Sequence, residues 1–410
     1  MTRLDRLSSA SPPLVEALRS GDWLTAERAR AYGWIWLAVA ASTAAAWVLL
    51  SPSGIDPTGK PLGTDFTSFW AASKLALAGA PRGAYEAAAH RAQEAAIFGR
   101  DTGYAAFFYP PLFLLACLPL AALPYFAALA AWLVATGAAY VASLRAWLGK
   151  SLGVMPILAF PAVLSNLGHG QNGLLSAALF GAGALWLFER PILAGVALGC
   201  LAYKPHLGLM IPLALVLFGR WRSFAAASLT VLAFASLSYW AFGAETWRAF
   251  LADAGLARAA LEQGLVGDAK MQSAFAAVRL WGGPVWLAYA AQACAVLGAA
   301  AGLIWLRSRT RKTSAEGPAM VMAALLATPF LLDYDLAILA VPLAWMLREG
   351  AAGGFRPWEK TTMAAAFVLP ALSRSLARDV HLPLAPFVMA ALFVLVLRRG
   401  AEEAARVRNA

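Results

Sequence analysis

The sequence predicts an all-α integral membrane protein with about twelve transmembrane helices, within a range of roughly eleven to thirteen. Three observations lead there. Of 410 residues, 61% are apolar and only 13% are charged, about half the charged share of an ordinary soluble domain. Apolar runs recur along the whole chain at lengths near the roughly 20 residues that cross about 30 Å of hydrocarbon. The net charge is +11, and the basic residues gather in short connectors, the pattern of cytoplasmic ends. A water-soluble globule is excluded. No basic patch with interleaved aromatics points to nucleic acid.

Residues 1–31 carry Asp5, Glu16, Asp22, Glu27 and five arginines before any apolar run. They do not resemble a cleavable signal peptide, so the first span is expected to stay as an anchor. Apolar segments follow at 32–50, 107–122, 124–147, 152–168, 170–188, 191–203, 205–219, 222–242, 283–306, 317–332, 335–348, 361–376 and 382–398. Arg28 and Arg30, Arg145 and Lys150, Arg190, Arg220 and Arg222, Arg307 to Lys312, Arg348 to Lys360, and Arg398 with Arg399 mark cytoplasmic ends. Both termini, including the 399–410 tail, are then inside, and an even number of crossings is required. The segment 107–122 is short and holds Pro110, Pro111 and Pro119, so it is expected to be juxtamembrane or re-entrant. Residues 191–219 are expected to form two short spans meeting outside at Lys204-Pro205-His206. Everything from 32 to 398 reads as one polytopic domain. Gly195-x-x-x-Gly199 and Gly298-x-x-x-Gly302 supply small faces for close helix packing in lipid. Cys117, Cys200 and Cys294 lie far apart in apolar segments and show neither zinc nor disulfide spacing.

With that orientation, nearly all polar interruptions fall outside. They are the outer loop 51–106 with Gly63-Thr64-Asp65-Phe66, then Tyr109-Pro110-Pro111, Asn166 through Asn172, Lys204-Pro205-His206, the outer loop 243–282, Asp333-Tyr334-Asp335, and Arg374 to His381. Ionisable groups at membrane depth are costly and mark substrate sites, so the clustering predicts a pocket at the extracytoplasmic end of the bundle.

Asp65 opens a segment whose aromatics Phe66, Phe69 and Trp70 suit a helix lying in the outer interface. Capping alone would account for the acid, since the helix start favours a carboxylate. The same physics would hold a base ionised beside a cleft, ready to take a proton from an acceptor hydroxyl. Around Gly168 and Gly170, a tight turn needs the glycines but not Asn166, His169, Gln171 and Asn172 together. Such neutral groups recognise sugar hydroxyls or a phosphate, although a plain hairpin also fits. Lys204 is either a snorkelling lysine or, with His206, an anion clamp for a lipid phosphate. Tyr334 sits between Asp333 and Asp335 at a helix start, where capping again competes with a site role. Arg374, Arg378 and His381 are further candidates, with a charged loop as the simpler account. No Walker loop, nucleotide fingerprint or serine elbow occurs. No cofactor is implied, and no metal, since His169 and His206 lack a second ligand at local spacing.

At Gly63-Thr-Asp65-Phe-Thr-Ser-Phe69-Trp70-Ala-Ala-Ser-Lys74-Leu-Ala-Leu-Ala-Gly79-Ala-Pro81, followed by Ala84-Tyr85, the chain resembles glycosyltransferase family 87. This is a multi-spanning group of the GT-C superfamily that includes bacterial polyprenyl-phosphomannose-dependent alpha-mannosyltransferases. Tyr109-Pro-Pro-Leu-Phe, Gly168-His-Gly-Gln-Asn-Gly173, Ala202-Tyr-Lys-Pro-His206 and Thr328-Pro-Phe-Leu-Leu-Asp333-Tyr-Asp-Leu336 agree in order, over roughly residues 60–345. Phe330 departs from the family pattern, which has a polar residue there, often His.

The resemblance implies a GT-C fold with a helical extracytoplasmic first loop, in the bacterial inner (plasma) membrane with its active site facing out. It implies transfer of a hexose, mannose being the expected sugar, from a polyprenyl-phosphate donor to a lipid or glycan acceptor with inversion. Asp65 matches the family's acidic base. Lys204 and His206 would offset leaving-group charge. His169, Gln171, Asn172, Tyr334 and Asp335 would orient sugar and acceptor, with Trp70, Lys74, Tyr109 and Asn166 as further substrate contacts. Two rivals remain at this level. A transporter or lipid flippase would carry ionisable residues near mid-membrane and use both faces. A structural subunit would not require Asp65, His169 and Lys204 to converge.

Overall fold

The computed structural model describes residues 13–149 and 153–409, with side chains for all of these except Ala254 and residues 404–409. Asp5 of the amino-terminal segment and Lys150 of the basic connectors lie outside the described residues. The described chain is helix and turn throughout, with two isolated bridges, Ile55 to Pro61 and Met271 to Leu332.

Among the described residues, six helices are long and apolar enough to cross a membrane: Ala26–Leu49, Tyr125–Leu148, Trp221–Glu262, Val285–Arg309, Asp333–Gly353 and Leu384–Glu403. Five shorter apolar helical stretches, Leu112–Ala122, Gly173–Leu185, Pro191–Tyr203, Pro205–Leu217 and Glu316–Ala327, fall on other predicted segments. At 1.5 Å per residue the 13-residue helix Gly173–Leu185 is about 20 Å long, below a full bilayer core. The segment 361–376 lies inside Glu359–Val380, a continuous 22-residue helix with Pro370 in it. One expectation fails. Residues 152–168 do not form a continuous span but two pieces, Met155–Leu158 and Ala162–His169, because Pro156 and Pro161 each remove a backbone donor and disfavour helix before them.

The stretch Trp221–Glu262 runs on well past the predicted end of its span at 242, and bends at Gly243, where φ is 77° and ψ 167°. A glycine takes that conformation without steric cost, so the chain turns there and re-enters helix. Much of loop 243–282 is therefore helical. Loop 51–106 is helical too, holding Phe66–Leu77 and Ala87–Phe98.

The helix Glu316–Ala327 is the centre of the bundle. Its residues Glu316 through Leu325 and Ala327 are all buried, as expected of a helix apolar on every side. By contrast Ala26–Leu49 buries only Gly33 and sits at the periphery. Outward faces are apolar: Leu229, Leu232 and Trp240 on one long helix, and Trp286 and Leu297 on another, are more than half exposed. Such a surface would aggregate in water and is satisfied by lipid. The Gly195-x-x-x-Gly199 face behaves as predicted. A Cβ on Gly195 would lie 2.3 Å from the Ser223 carbonyl oxygen, and one on Gly199 would lie 2.6 Å from Thr230 Cβ, so the helix Pro191–Cys200 rides directly on its neighbour. Gly298 meets nothing within 4 Å, while Gly302 lies against Phe393, so the second motif is not a two-glycine contact face.

The central helix separates two polar clusters. At its start Arg220 donates two hydrogen bonds to Glu316, at 2.7 and 2.8 Å. Beyond its end lie Asp333, Tyr334 and Asp335, and with them the residues described next.

Candidate functional site

Two backbone turns meet to build the site. The helix Ala162–His169 stops at Gly170, which adopts φ 65°, and a Cβ there would strike Phe66 Cβ at 2.6 Å. Glycine thus allows the 169–172 turn to lie against the 63–66 turn, where the Asp65 amide donates to the His169 carbonyl at 3.0 Å. Gly173 has a second such role. A Cβ on it would sit 2.4 Å from the Tyr334 carbonyl oxygen, and the Asn166 amide donates to that same carbonyl at 2.9 Å. The motif's glycines let backbones touch, while Asn166, His169 and Gln171 reach Tyr334, Thr64 and Asp65 respectively.

Asp65 occupies the residue before the helix Phe66–Leu77, yet its side chain makes no capping hydrogen bond. The capping account of this acid therefore does not hold. Its Oδ2 instead accepts from the Gln171 amide at 2.9 Å, and the Lys270 ammonium lies 3.5 Å away. His169 Nδ1 is 4.0 Å from the carboxylate and shares a 2.8 Å hydrogen bond with the Thr64 hydroxyl. Gln171 is held in turn by Tyr109, whose hydroxyl donates to its Oε1 at 3.4 Å. Burial pushes the Asp65 carboxyl up, but Lys270, His169 and the Gln171 hydrogen bond outweigh it and hold the group below the ordinary carboxylate value. Burial pushes the His169 imidazole down, offset in part by the Asp65 charge. At neutral pH the pair is an anionic acid beside a neutral imidazole. The Asp65 side chain keeps 22% of its surface open.

Tyr334 links this group to a second one. The Lys270 ammonium lies 5.4 Å and the Lys204 ammonium 5.1 Å from its ring centre, within the range of cation–π attraction, and the His169 ring is 6.4 Å away. Lys204 Nζ donates to Asp335 at 2.6 Å, and the two side chains are 3% and 2% exposed. The expectation of Lys204 as a surface lysine, snorkelling or open to a phosphate, is corrected by this. It is a buried partner of Asp335, whose other oxygen accepts from the Leu332 amide. Asp333 accepts from the Tyr334 amide at 2.9 Å and faces Arg374 at 3.3 Å. Asp65, His169 and Lys204, contributed by distant parts of the chain, converge on one tyrosine.

The sequence model described as Glycosyltransferase family 87 matches residues 107–333, more than half of the chain. The chain belongs to glycosyltransferase family 87. No curated protein and no solved structure matches it. A convergent acid, imidazole, amide and lysine at the end of a membrane bundle suit a glycosyltransferase far better than a transporter, whose ionisable groups would be spread along a path. Asp65 precedes the matched range, so its assignment rests on geometry, whereas His169, Gln171, Asn172, Lys204 and Lys270 fall within it.

Other expected contacts of this glycosyltransferase lie apart from Asp65. Trp70 donates to the Leu123 carbonyl at 3.1 Å, and Lys74 sits 4.9 Å from the Trp70 ring centre. Their helix is not spread along an interface either, because Phe66, Thr67, Ser68, Phe69, Ala71, Ala72 and Ser73 are all buried. His206 packs against Phe330 at 6.1 Å between ring centres, so the residue that departs from the family pattern covers a histidine. The Asn172 side chain is buried, with Tyr109 as its polar neighbour. Arg378 pairs with its neighbour Asp379 at 2.7 Å. His381 ends its helix, its amide donating to the Leu376 carbonyl and its own carbonyl accepting from Trp281. Among the described residues, no group of three His, Cys, Asp or Glu side chains is arranged to hold a metal.

Sequence reading missed Lys270. The Met271–Leu332 bridge brings it in: Gln272 N–H donates to the Leu331 carbonyl at 2.7 Å, and Asp333 N–H donates to the Lys270 carbonyl at 3.1 Å. The one available signal was its place in loop 243–282 on the predicted outer side, shared with Arg248, Arg258 and Arg279.

Proposed function

We propose that this glycosyltransferase moves a hexose, mannose being the expected sugar, from a polyprenyl-phosphate donor to a lipid or glycan hydroxyl on the extracytoplasmic face of a bacterial plasma membrane. Asp65 is the general base. It takes the proton of the acceptor hydroxyl while that oxygen bonds to the anomeric carbon. The bond from that carbon to the phosphate oxygen breaks on the opposite face, giving inversion, and polyprenyl phosphate departs with the electron pair. His169 and Gln171 orient sugar and acceptor, with Gln171 also fixing the carboxylate, while the enclosed Asn172, Tyr334 and Asp335 hold the wall behind them.

The observation that carries this reading is the state of Asp65. A carboxylate at a helix start that is charged, partly open and free of capping duty is available to accept a proton. The polar cluster also lies beyond the end of the buried helix Glu316–Ala327, and a donor whose lipid stays in the bilayer would present its phosphate there. The test incubates purified protein with radiolabelled polyprenyl-phosphate hexoses and host membrane lipids. Transfer of one label by the wild type is expected; transfer of none would remove the donor assignment.

A further inference from the structure

Asp65, Asp333 and Asp335 lie around Tyr334, and each faces one cation. Lys204 pairs with Asp335 at 2.6 Å, Arg374 with Asp333 at 3.3 Å, and Lys270 with Asp65 at 3.5 Å. A sugar phosphodiester entering this group brings one negative charge, and its departure as a phosphate monoester adds a second. Each of the three cations already faces a carboxylate, so a lysine ammonium that turns to the phosphate has to leave its own.

The pairs differ in what opening them would cost. Separating Lys204 from Asp335 would leave two charges unpaired in the interior, where side-chain exposures are 3% and 2%. Asp333 is 5% exposed and keeps the Tyr334 amide, while its partner Arg374 is 48% exposed, but this pair sits behind His169 and its opening would leave the base unchanged. Asp65 keeps 22% of its surface open and retains the Gln171 hydrogen bond when its lysine leaves. The Lys270 side chain is 17% exposed, on a backbone pinned to Leu331 and Asp333, so the ammonium can move on its four-carbon stem while the loop stays in place.

We infer that Lys270 is the cation that receives the donor phosphate, and that its transfer from Asp65 to that phosphate releases the carboxylate to work as the base. This rests on the lipid-phosphate donor proposed above. Beside its lysine the base is held weak. Once the donor is bound, the ammonium offsets the charge that grows on the departing phosphate, and Asp65 gains basicity when the acceptor needs it. Activation of the acceptor is thereby tied to occupancy of the donor site. The other groups facing Asp65 are His169, the Tyr109, Tyr125 and Tyr334 hydroxyls, and the Asp333–Arg374 pair behind His169; none of these has to change partner.

The test is steady-state kinetics of the full-length protein in lipid nanodiscs. It uses a synthetic polyprenyl-phosphate hexose that the wild type turns over, saturating acceptor, and a range of about pH 2.5 to 7. The kcat/KM profile for the donor reports the free enzyme, and kcat reports the donor complex. The acid limb of kcat is expected about one pH unit above that of kcat/KM in the wild type. In Lys270→Met the two limbs should coincide, with donor KM raised about tenfold; Lys270→Arg should keep KM within about threefold. A lysine that only braces the loop would lower Tm without producing the wild-type split. Coincident limbs in the wild type, or an unchanged donor KM in a folded Lys270→Met protein, overturn the exchange alone. Failure of the wild type to use any polyprenyl-phosphate hexose removes the donor reading and the exchange together.

Discussion

Two ion pairs touch the same tyrosine and serve different ends. Lys204 and Asp335 are almost wholly enclosed, 2.6 Å apart, and further fixed by the Leu332 amide. Lys270 and Asp65 are 3.5 Å apart, partly open, and the acid has a second partner in Gln171. Chemically the pairs are alike, an ammonium facing a carboxylate. Burial separates them. A charge in the interior is held by the penalty of leaving it alone, whereas a charge at an opening can exchange its partner. The enclosed pair fixes Tyr334 in place, and the open one is available for chemistry.

The largest expected effect that would break this comparison is on Asp65. Asp65→Asn preserves size and contact with Gln171 but removes the base, and should lower transfer by about 10²- to 10⁴-fold with Tm unchanged, measured as label moved from a polyprenyl-phosphate hexose. Full activity in that variant would end the assignment. Next is Asp335→Asn, which strands the Lys204 ammonium in the interior and should cost about 3–5 kcal/mol, read as a fall in Tm in detergent. The double variant Lys204→Met with Asp335→Leu should recover most of that loss, since no charge is left unpaired; wild-type stability in Asp335→Asn would erase the contrast between the two pairs.

A smaller effect sharpens the open side. Gln171→Leu removes the amide that donates to Asp65, a loss of about 1–3 kcal/mol in holding the carboxylate. Transfer should fall about tenfold, and the acid limb of the pH profile should move up, because a hydrogen bond that favours the charged form is gone. An unshifted limb would mean that the amide does not tune the base.

The smallest concerns a third acid, in the helix Ala87–Phe98. His90 Nδ1 and Glu94 Oε2 are 3.8 Å apart in the interior, close enough to count as an ion pair by distance. Burial, against the pull of the Ala105 amide and Thr67 hydroxyl, raises the Glu94 carboxyl to about 7, and burial lowers His90 to about 4. Between those values both are neutral, so this is not an ion pair at all. Glu94 binds its proton more tightly folded than at its ordinary 4.5. Its stabilising contribution is therefore complete below that value and lost as pH rises through about 7. Wild-type Tm should decline from about pH 6 to 8, while Glu94→Gln should stay flat on that side. A wild-type Tm that does not change over this interval would contradict it. His90 acts in the opposite sense, its contribution being present above 6.5 and lost as pH falls toward 4.

Much of the bundle was legible in the sequence because a bilayer selects for apolar length, and that property is local. The long spans at 32–50, 124–147 and 283–306 emerge within a few residues as Ala26–Leu49, Tyr125–Leu148 and Val285–Arg309. The break at 152–168 was not read as such, although Pro156 and Pro161 were visible, because hydropathy alone does not register a missing backbone donor. The site was half legible. Asp65, His169, Gln171, Lys204 and Asp335 stand out as polar residues in apolar surroundings, but which of them touch is a different matter. Asp65 finds Gln171 across 106 residues, and Lys204 finds Asp335 across 131.

Composition and spacing by themselves determined that this chain is built of apolar helices suited to a membrane, with its polar residues in the breaks between them, since both follow from the cost of placing each segment in hydrocarbon or in water. Only the tertiary structure decided that Lys204 is enclosed by Asp335 and that Lys270 stands at Asp65. Electrostatic partnership depends on distance and burial, and those arise where loops far apart in the chain are brought against each other.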